Sequence, residues 1–158
     1  MRRQRRDRGF TLIELLIVVA IILTIVAMAI PKITASRIAA NEASAIASLR
    51  AINGGELMFS SAHPDLGFSP DLGTLGAGSN NQQGANAIGN DLASGRKAGY
   101  SFTYTPGEKI NGAIRSYTVA AIPDQVGTTG TRRFYTDESG TIHYNASGPA
   151  DATSPELQ

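Results

Sequence analysis

Cysteine is absent from all 158 residues. That excludes a disulfide framework and a thiolate metal site, so any stability outside the cell has to come from packing or assembly. Histidine is almost as scarce. His63 and His143 stand alone, with no pair at helical spacing and no local serine or carboxylate grouping around either. No single element carries paired carboxylates suited to acid–base work. Acids are also thin where calcium would need them: Asp137 and Glu138 precede Ser-Gly, and the longer loop at 123–131 adds only Asp124. A hard cation wants about six oxygens or more. The stretch "GAGSNN" at 76–81 superficially resembles a phosphate-binding loop, but it lacks a third glycine, a preceding strand and an opening helix. These absences lead us to expect no enzyme, no cofactor and no metal.

What the chain does have is unevenly distributed. Its formal charge is +1, yet Arg2, Arg3, Arg5, Arg6 and Arg8 all fall within the first nine residues, opposed only by Asp7. Without that head, nine basic residues face twelve acidic ones and the remainder is mildly acidic at −3. A basic head on an acidic body indicates membrane topology more than nucleic-acid binding, because the next segment is apolar and the positive-inside rule accounts for the arginines.

From Leu15 to Ile30 every residue is apolar except Thr24, and extension back to Phe10 adds one charge, Glu14. A bilayer-spanning helix needs about 20 such residues. The run is too long for the core of a cleaved secretory signal, although "AMAIP" at 27–31 faintly resembles a cleavage site. A plain membrane anchor fits the length but leaves Glu14 without a purpose. A carboxylate near hydrocarbon costs up to about 3 kcal/mol and calls for a partner.

The stretch "RGFTLIELLIVVAIILTIVAMAIP" at 8–31 resembles the N-terminus of type IV pilins and of the related type II secretion pseudopilins. The basic leader, the glycine and phenylalanine, the glutamate, the unbroken apolar run and the later proline all coincide over about 35 residues from Arg8. The resemblance implies a bacterial protein cut by prepilin peptidase between Gly9 and Phe10 on the cytoplasmic side, with Phe10 then N-methylated. Cutting there creates an ammonium four residues from Glu14. By resemblance, Glu14 of an incoming subunit neutralises the Phe10 amine of a neighbour in a fibre, which makes it an assembly residue and not a catalyst. Pro31 implies a bend, or a locally melted stretch in the assembled fibre, where the residues alone would allow a helix end at Ile30.

The expected partners are therefore copies of the same chain, prepilin peptidase, inner-membrane assembly machinery, and a lipid bilayer before assembly. The expected location is the inner membrane as a single-pass precursor, then a cell-surface filament, or the periplasm for a pseudopilin. A non-polymerising, membrane-anchored binding module is the alternative from outside the family.

Beyond Pro31 the chain is alanine-rich and free of proline as far as His63. At 100° per residue Ile38, Ile46, Leu49 and Ile52 share a face, with Ser44 and Ser48 opposite and Glu42 and Glu56 interrupting the stripe. Gly54-Gly55 could end or bend this helix early, while the firmer stop is "SSAHPD" at 60–65. Residues 64–98 are too rich in turn formers for long elements, with a short helical turn expected near 86–93. The period then changes to two, at 100–105, 115–122, 132–137 and 141–145, which reads as four antiparallel strands with one face on the helix and the other wet.

The chain thus divides into a cleaved leader (1–9), an apolar helix (10–31), its amphipathic continuation (32–61), a connecting loop (62–98), a sheet (99–145) and a flexible tail (146–158). The expected class is α+β, with a long N-terminal helix on a small four-stranded sheet. Two departures from the pilin pattern follow from composition. No disulfide can close a C-terminal loop, and within the long helix only Phe10 and Phe59 are aromatic, which gives no stacking path along a fibre.

Overall fold

The structure is a computed structural model that describes residues 9–76 and 86–157. The arginines of the leader and most of "GAGSNN" lie outside the described residues. The chain divides into two compact units, Met1–Ser36 and Arg37–Gln158.

One helix, α1 (Leu12–Ala62), runs through the end of the first unit into the second. It does not stop at Ile30: residues on both sides of Pro31 are helical, although proline supplies no N–H for the Ala27 carbonyl one turn earlier. Gly54-Gly55 does not stop it either. Gly55 is buried, and a Cβ there would lie 3.1 Å from the Ala87 methyl. The glycine lets the 87–88 segment approach, a tertiary gain that offsets its poor helix propensity.

Within the second unit α1 buries Glu42, Ala45, Ser48, Leu49, Ile52, Gly55, Glu56 and Phe59. Leu49 and Ile52 are where the periodicity puts them. Ser48, expected opposite, is inside, and the two glutamates belong to the buried face instead of breaking it. Two short helices follow, α2 (Leu72–Leu75), capped by the Asp71 carboxylate on the Thr74 N–H, and α3 (Asn90–Ala93), inside the expected 86–93 turn.

The sheet is antiparallel throughout and has five strands, one more than expected: β1 (Arg96–Lys97), β2 (Tyr100–Pro106), β5 (Tyr117–Pro123), β6 (Arg133–Asp137) and β7 (Ile142–Asn145), in that spatial order. The extra strand has no β-prone residue. It exists because Ala98 (φ 49°) and Gly99 (φ 74°) form a two-residue turn that folds Arg96 and Lys97 back onto Ser101 and Tyr100. A separate two-stranded ribbon, β3 (Lys109–Ile110) with β4 (Ala113–Ile114), is inserted between β2 and β5.

Register aligns the inner rows. Phe102 pairs with Ala121 and Ala121 with Phe134; Tyr104 pairs with Val119, Val119 with Thr136, and Thr136 with Ile142. Phe102, Ala121, Phe134, Val119 and Ile142 join Leu49, Ile52 and Phe59 of α1 in one core. The ribbon is fastened through Ile114, whose N–H donates to the Leu66 carbonyl (2.8 Å) and whose carbonyl accepts from the Phe68 N–H (2.9 Å). Gly67 between them has φ 75°, and a Cβ on it would overlap the Ile114 carbonyl oxygen.

The last segment is not a free tail. The Tyr144 N–H donates to the Pro155 carbonyl (2.9 Å), the Leu157 N–H to the Ile142 carbonyl (2.7 Å), and the Leu157 side chain packs against the core. Composition suggested disorder, but the segment covers the open edge of β7, where unpaired backbone groups would otherwise face solvent or another chain.

Candidate functional site: the start of the apolar helix

Gly9 and Phe10 precede α1 in non-helical backbone, and both are exposed. Thr11 is the residue before the helix. Its hydroxyl accepts from the Glu14 N–H at 3.2 Å, and Glu14 Oε2 reaches back to the Thr11 hydroxyl (3.4 Å) and N–H (3.5 Å). This is a capping box, in which Thr and Glu three residues apart satisfy each other's orphan donors at a helix start. The signal was present in the sequence: "TLIE" directly before an apolar run has the required spacing. The family resemblance ties Glu14 to assembly, and the cap adds Thr11 as its partner. A carboxylate in the first turn also complements the helix dipole.

Beyond this cap the helix is apolar on every side. All residues from 9 to 28 are exposed, with Leu12 at 80% and Phe10 at 72%. None of the most apolar stretch is covered. Thr24 turns its hydroxyl onto the Ala20 carbonyl at 2.8 Å, which satisfies the one polar side chain between Leu15 and Ile30 inside the helix itself. Leu12 to Ile30 rises about 28 Å, close to the roughly 30 Å of a bilayer's hydrocarbon core. The surface suits lipid or a bundle of similar helices, not water.

Within the second unit α1 buries two further carboxylates, Glu42 and Glu56, each held by hydrogen bonds from other segments. Glu42 Oε1 accepts from the Thr131 N–H and hydroxyl and from the Arg132 N–H, and Oε2 accepts from Arg132 Nε at 2.7 Å. Burial would raise its pKa, but the surrounding donors prevail and hold the carboxyl at about 2. The Arg132 guanidinium also lies 5.4 Å from the Phe134 ring centre and 5.6 Å from that of Tyr144. Glu56 is fully buried and accepts from the Ser69 N–H and hydroxyl, while the Tyr104 hydroxyl donates to the Ser69 carbonyl at 2.8 Å. Burial pushes the phenols of Tyr100, Tyr104 and Tyr117 well above their ordinary range.

The histidines are far apart in role as well as sequence. His63 packs against Phe59 with ring centres 4.6 Å apart and planes tilted by 31°, and His143 Nδ1 donates to the Ser154 carbonyl at 2.7 Å. Asp137 Oδ1 caps its own turn through the Ser139 N–H at 3.0 Å. Among the described residues, no group of three or more His, Asp or Glu side chains is placed to hold a metal ion.

A family model described as the prokaryotic N-terminal methylation motif matches residues 4–30. The chain carries the leader signature of type IV pilins and pseudopilins. The match takes in Gly9, Phe10, Thr11 and Glu14 and stops one residue short of Pro31. It supports a type IV pilin-like or pseudopilin protein, and with the exposed apolar helix it fits a membrane-anchored precursor. The match does not extend to the sheet. Comparisons with curated proteins and with solved structures gave no match.

Proposed function

We propose that this protein is a structural subunit of a type IV pilus-like filament and acts by polymerisation, without a catalytic step of its own. Prepilin peptidase cuts between Gly9 and Phe10, Phe10 is N-methylated, and the chain waits in the inner membrane with α1 in lipid. Assembly machinery then moves it into a helical filament on the cell surface.

The observation that carries this reading is an apolar helix, exposed from its start to Met28, that places a carboxylate in its first turn, inside the matched motif. Cleavage before Phe10 makes an ammonium beside that first turn. In hydrocarbon an unpaired charge is costly, whereas a paired one is tolerated. Among the described residues Glu14 hydrogen-bonds to Thr11, a neutral partner, and cleavage supplies the new amine, its own or a neighbour's, to meet its charge. Pairing with a neighbour's amine sets the register between copies. Ala20, Ala27 and Ala29 let helices approach closely. Against water, burying such a helix stabilises by tens of kcal/mol, at about 25 cal/mol per Å². Against lipid that gain vanishes, so extraction from the bilayer needs an energy-driven machine.

The test is Glu14→Ala in the native host. We expect membrane insertion and leader removal as in wild type, with filaments lost. Normal filament yield would sink the assembly role. Intact mass of protein sheared from cells separates the alternatives: surface filaments lacking residues 1–9 and carrying one methyl on Phe10 support the pilin. Processed subunits confined to the periplasm support a pseudopilin, and recovery only as uncut membrane protein supports a tether.

A further inference from the structure

Two Asn-Gly dipeptides lie among the described residues, Asn53-Gly54 and Asn111-Gly112, and the fold treats them in opposite ways. An asparagine followed by glycine is chemically labile because the glycine nitrogen, unhindered by a Cβ, can reach the asparagine side-chain carbonyl. That attack requires a free side chain and a backbone able to rotate.

Asn53 has neither. Its Nδ2 donates to Thr136 Oγ1 (2.9 Å) and to the Gly140 carbonyl (3.3 Å), and its Oδ1 accepts from the Tyr117 hydroxyl (3.0 Å). Gly54 lies inside α1, so its nitrogen is engaged in the helix ladder. Asn111 has both. It is exposed, at the first central position of the two-residue turn joining β3 to β4, with φ 54° followed by φ 88° at Gly112. The ladder pairs are Lys109 with Ile114 and Ile110 with Ala113, so neither turn residue is part of it. Apart from Asn111 and Ala113, its neighbours in the chain, nothing among the described residues lies within 4 Å of where a Gly112 Cβ would stand. A ribbon with two residues per strand opens at low cost.

We propose that Asn111 is a site of spontaneous deamidation and that Asn53 is protected from the same reaction by the tertiary fold. The deprotonated Gly112 nitrogen attacks Cγ of Asn111, the new C–N bond closes a succinimide, and the side-chain nitrogen leaves as ammonia. Water then opens the ring at either carbonyl. One opening gives aspartate, the other isoaspartate, with no change in oxidation state. Aspartate keeps the turn, since Asp tolerates positive φ nearly as well as Asn. Isoaspartate adds a backbone methylene at the tip, which breaks the register of β3 with β4 and loosens the clasp of Ile114 on Leu66 and Phe68. Both products add a negative charge at the tip of the ribbon.

The experiment uses the full chain in detergent micelles, held at mildly alkaline pH beside a sample unfolded in urea. Trypsin cuts after Lys109 and Arg115 and releases residues 110–115 as a separate peptide. In the folded sample we expect this peptide to acquire the mass of an amide-to-acid conversion and to accept a methyl group from an isoaspartyl methyltransferase. Asn53 falls in the 51–96 peptide with Asn80, Asn81, Asn86 and Asn90, and fragmentation that locates the acid should show Asn53 converting at least about tenfold more slowly. In urea the two rates should converge, which would place the difference in the fold. Equal rates in the folded chain, faster conversion at Asn53, or an unmodified 110–115 peptide after the urea sample has reacted would each overturn the proposal.

Discussion

The two parts of α1 are one helix by backbone geometry and two different objects by surface. From Leu15 to Ile30 it is apolar around its whole circumference apart from Thr24, and none of its most apolar stretch is buried. From Arg37 onward it has a buried face and an exposed one, and the buried face carries two carboxylates that are fully supplied with donors. A side chain in the second part answers to the core of its own chain. One in the first answers only to what lies outside the chain, lipid or another copy.

The widest separation between the parts should come from paired truncations. Phe134→Ala removes a ring that is 1% exposed and should cost the second unit about 3–5 kcal/mol. Leu16→Ala, at 61% exposure, should leave it unchanged. Near-ultraviolet circular dichroism during thermal unfolding in micelles reads this directly, because all five tyrosines lie beyond Arg37. A Leu16→Ala variant that destabilised the tyrosine signal would show that the apolar part packs on its own chain, and the contrast would fail.

A smaller effect should follow Glu42→Gln. Glu42 has its pKa lowered to about 2 from an ordinary 4.5, so its contribution is complete above about pH 4.5 and is lost as pH falls through 2. The shift corresponds to roughly 3 kcal/mol at neutral pH. Urea titrations between pH 6 and pH 2 should show wild type losing that amount and Glu42→Gln, weaker from the start, losing visibly less. Parallel pH profiles would mean that Glu42 does not hold α1 to the Thr131–Arg132 turn as its hydrogen bonds indicate.

Leu157→Ala tests the docked end and should cost about 1–2 kcal/mol, with faster amide exchange at Tyr144. Unchanged exchange there would return the segment to the status of a free tail. The smallest expected change is in Thr11→Ala. Losing the cap should cost about 1 kcal/mol locally, seen as faster exchange at the Glu14 amide and not in the tyrosine signal. No change would mean that the reciprocal Thr11–Glu14 bonds are too long to matter.

Much of this was legible before folding because it depends on neighbours in sequence. The apolar run, its single carboxylate, the arginine head and the four main strands are read from residue type and spacing alone. The start of α1 was legible too, since "TLIE" places its own cap, and only Thr11 went unnoticed. The misreadings have a common cause. Glu42 and Glu56 look like interruptions until Thr131, Arg132 and Ser69 arrive from distant segments to hydrogen-bond them. Arg96 and Lys97 look like a loop until the turn at Ala98-Gly99 lays them beside β2. Residues 146–157 look disordered until the edge of β7 offers backbone partners.

By itself, the sequence determined that the first part of the helix cannot be at rest in water: sixteen residues from Leu15 to Ile30 with only Thr24 polar leave no face to solvate. The tertiary structure alone decided which polar groups could be buried, which short segments became strands, and which of two identical Asn-Gly pairs stands open. Hydrophobic periodicity is written locally, whereas a buried carboxylate, a strand edge or a pinned amide is stable only when its partners come from elsewhere in the chain.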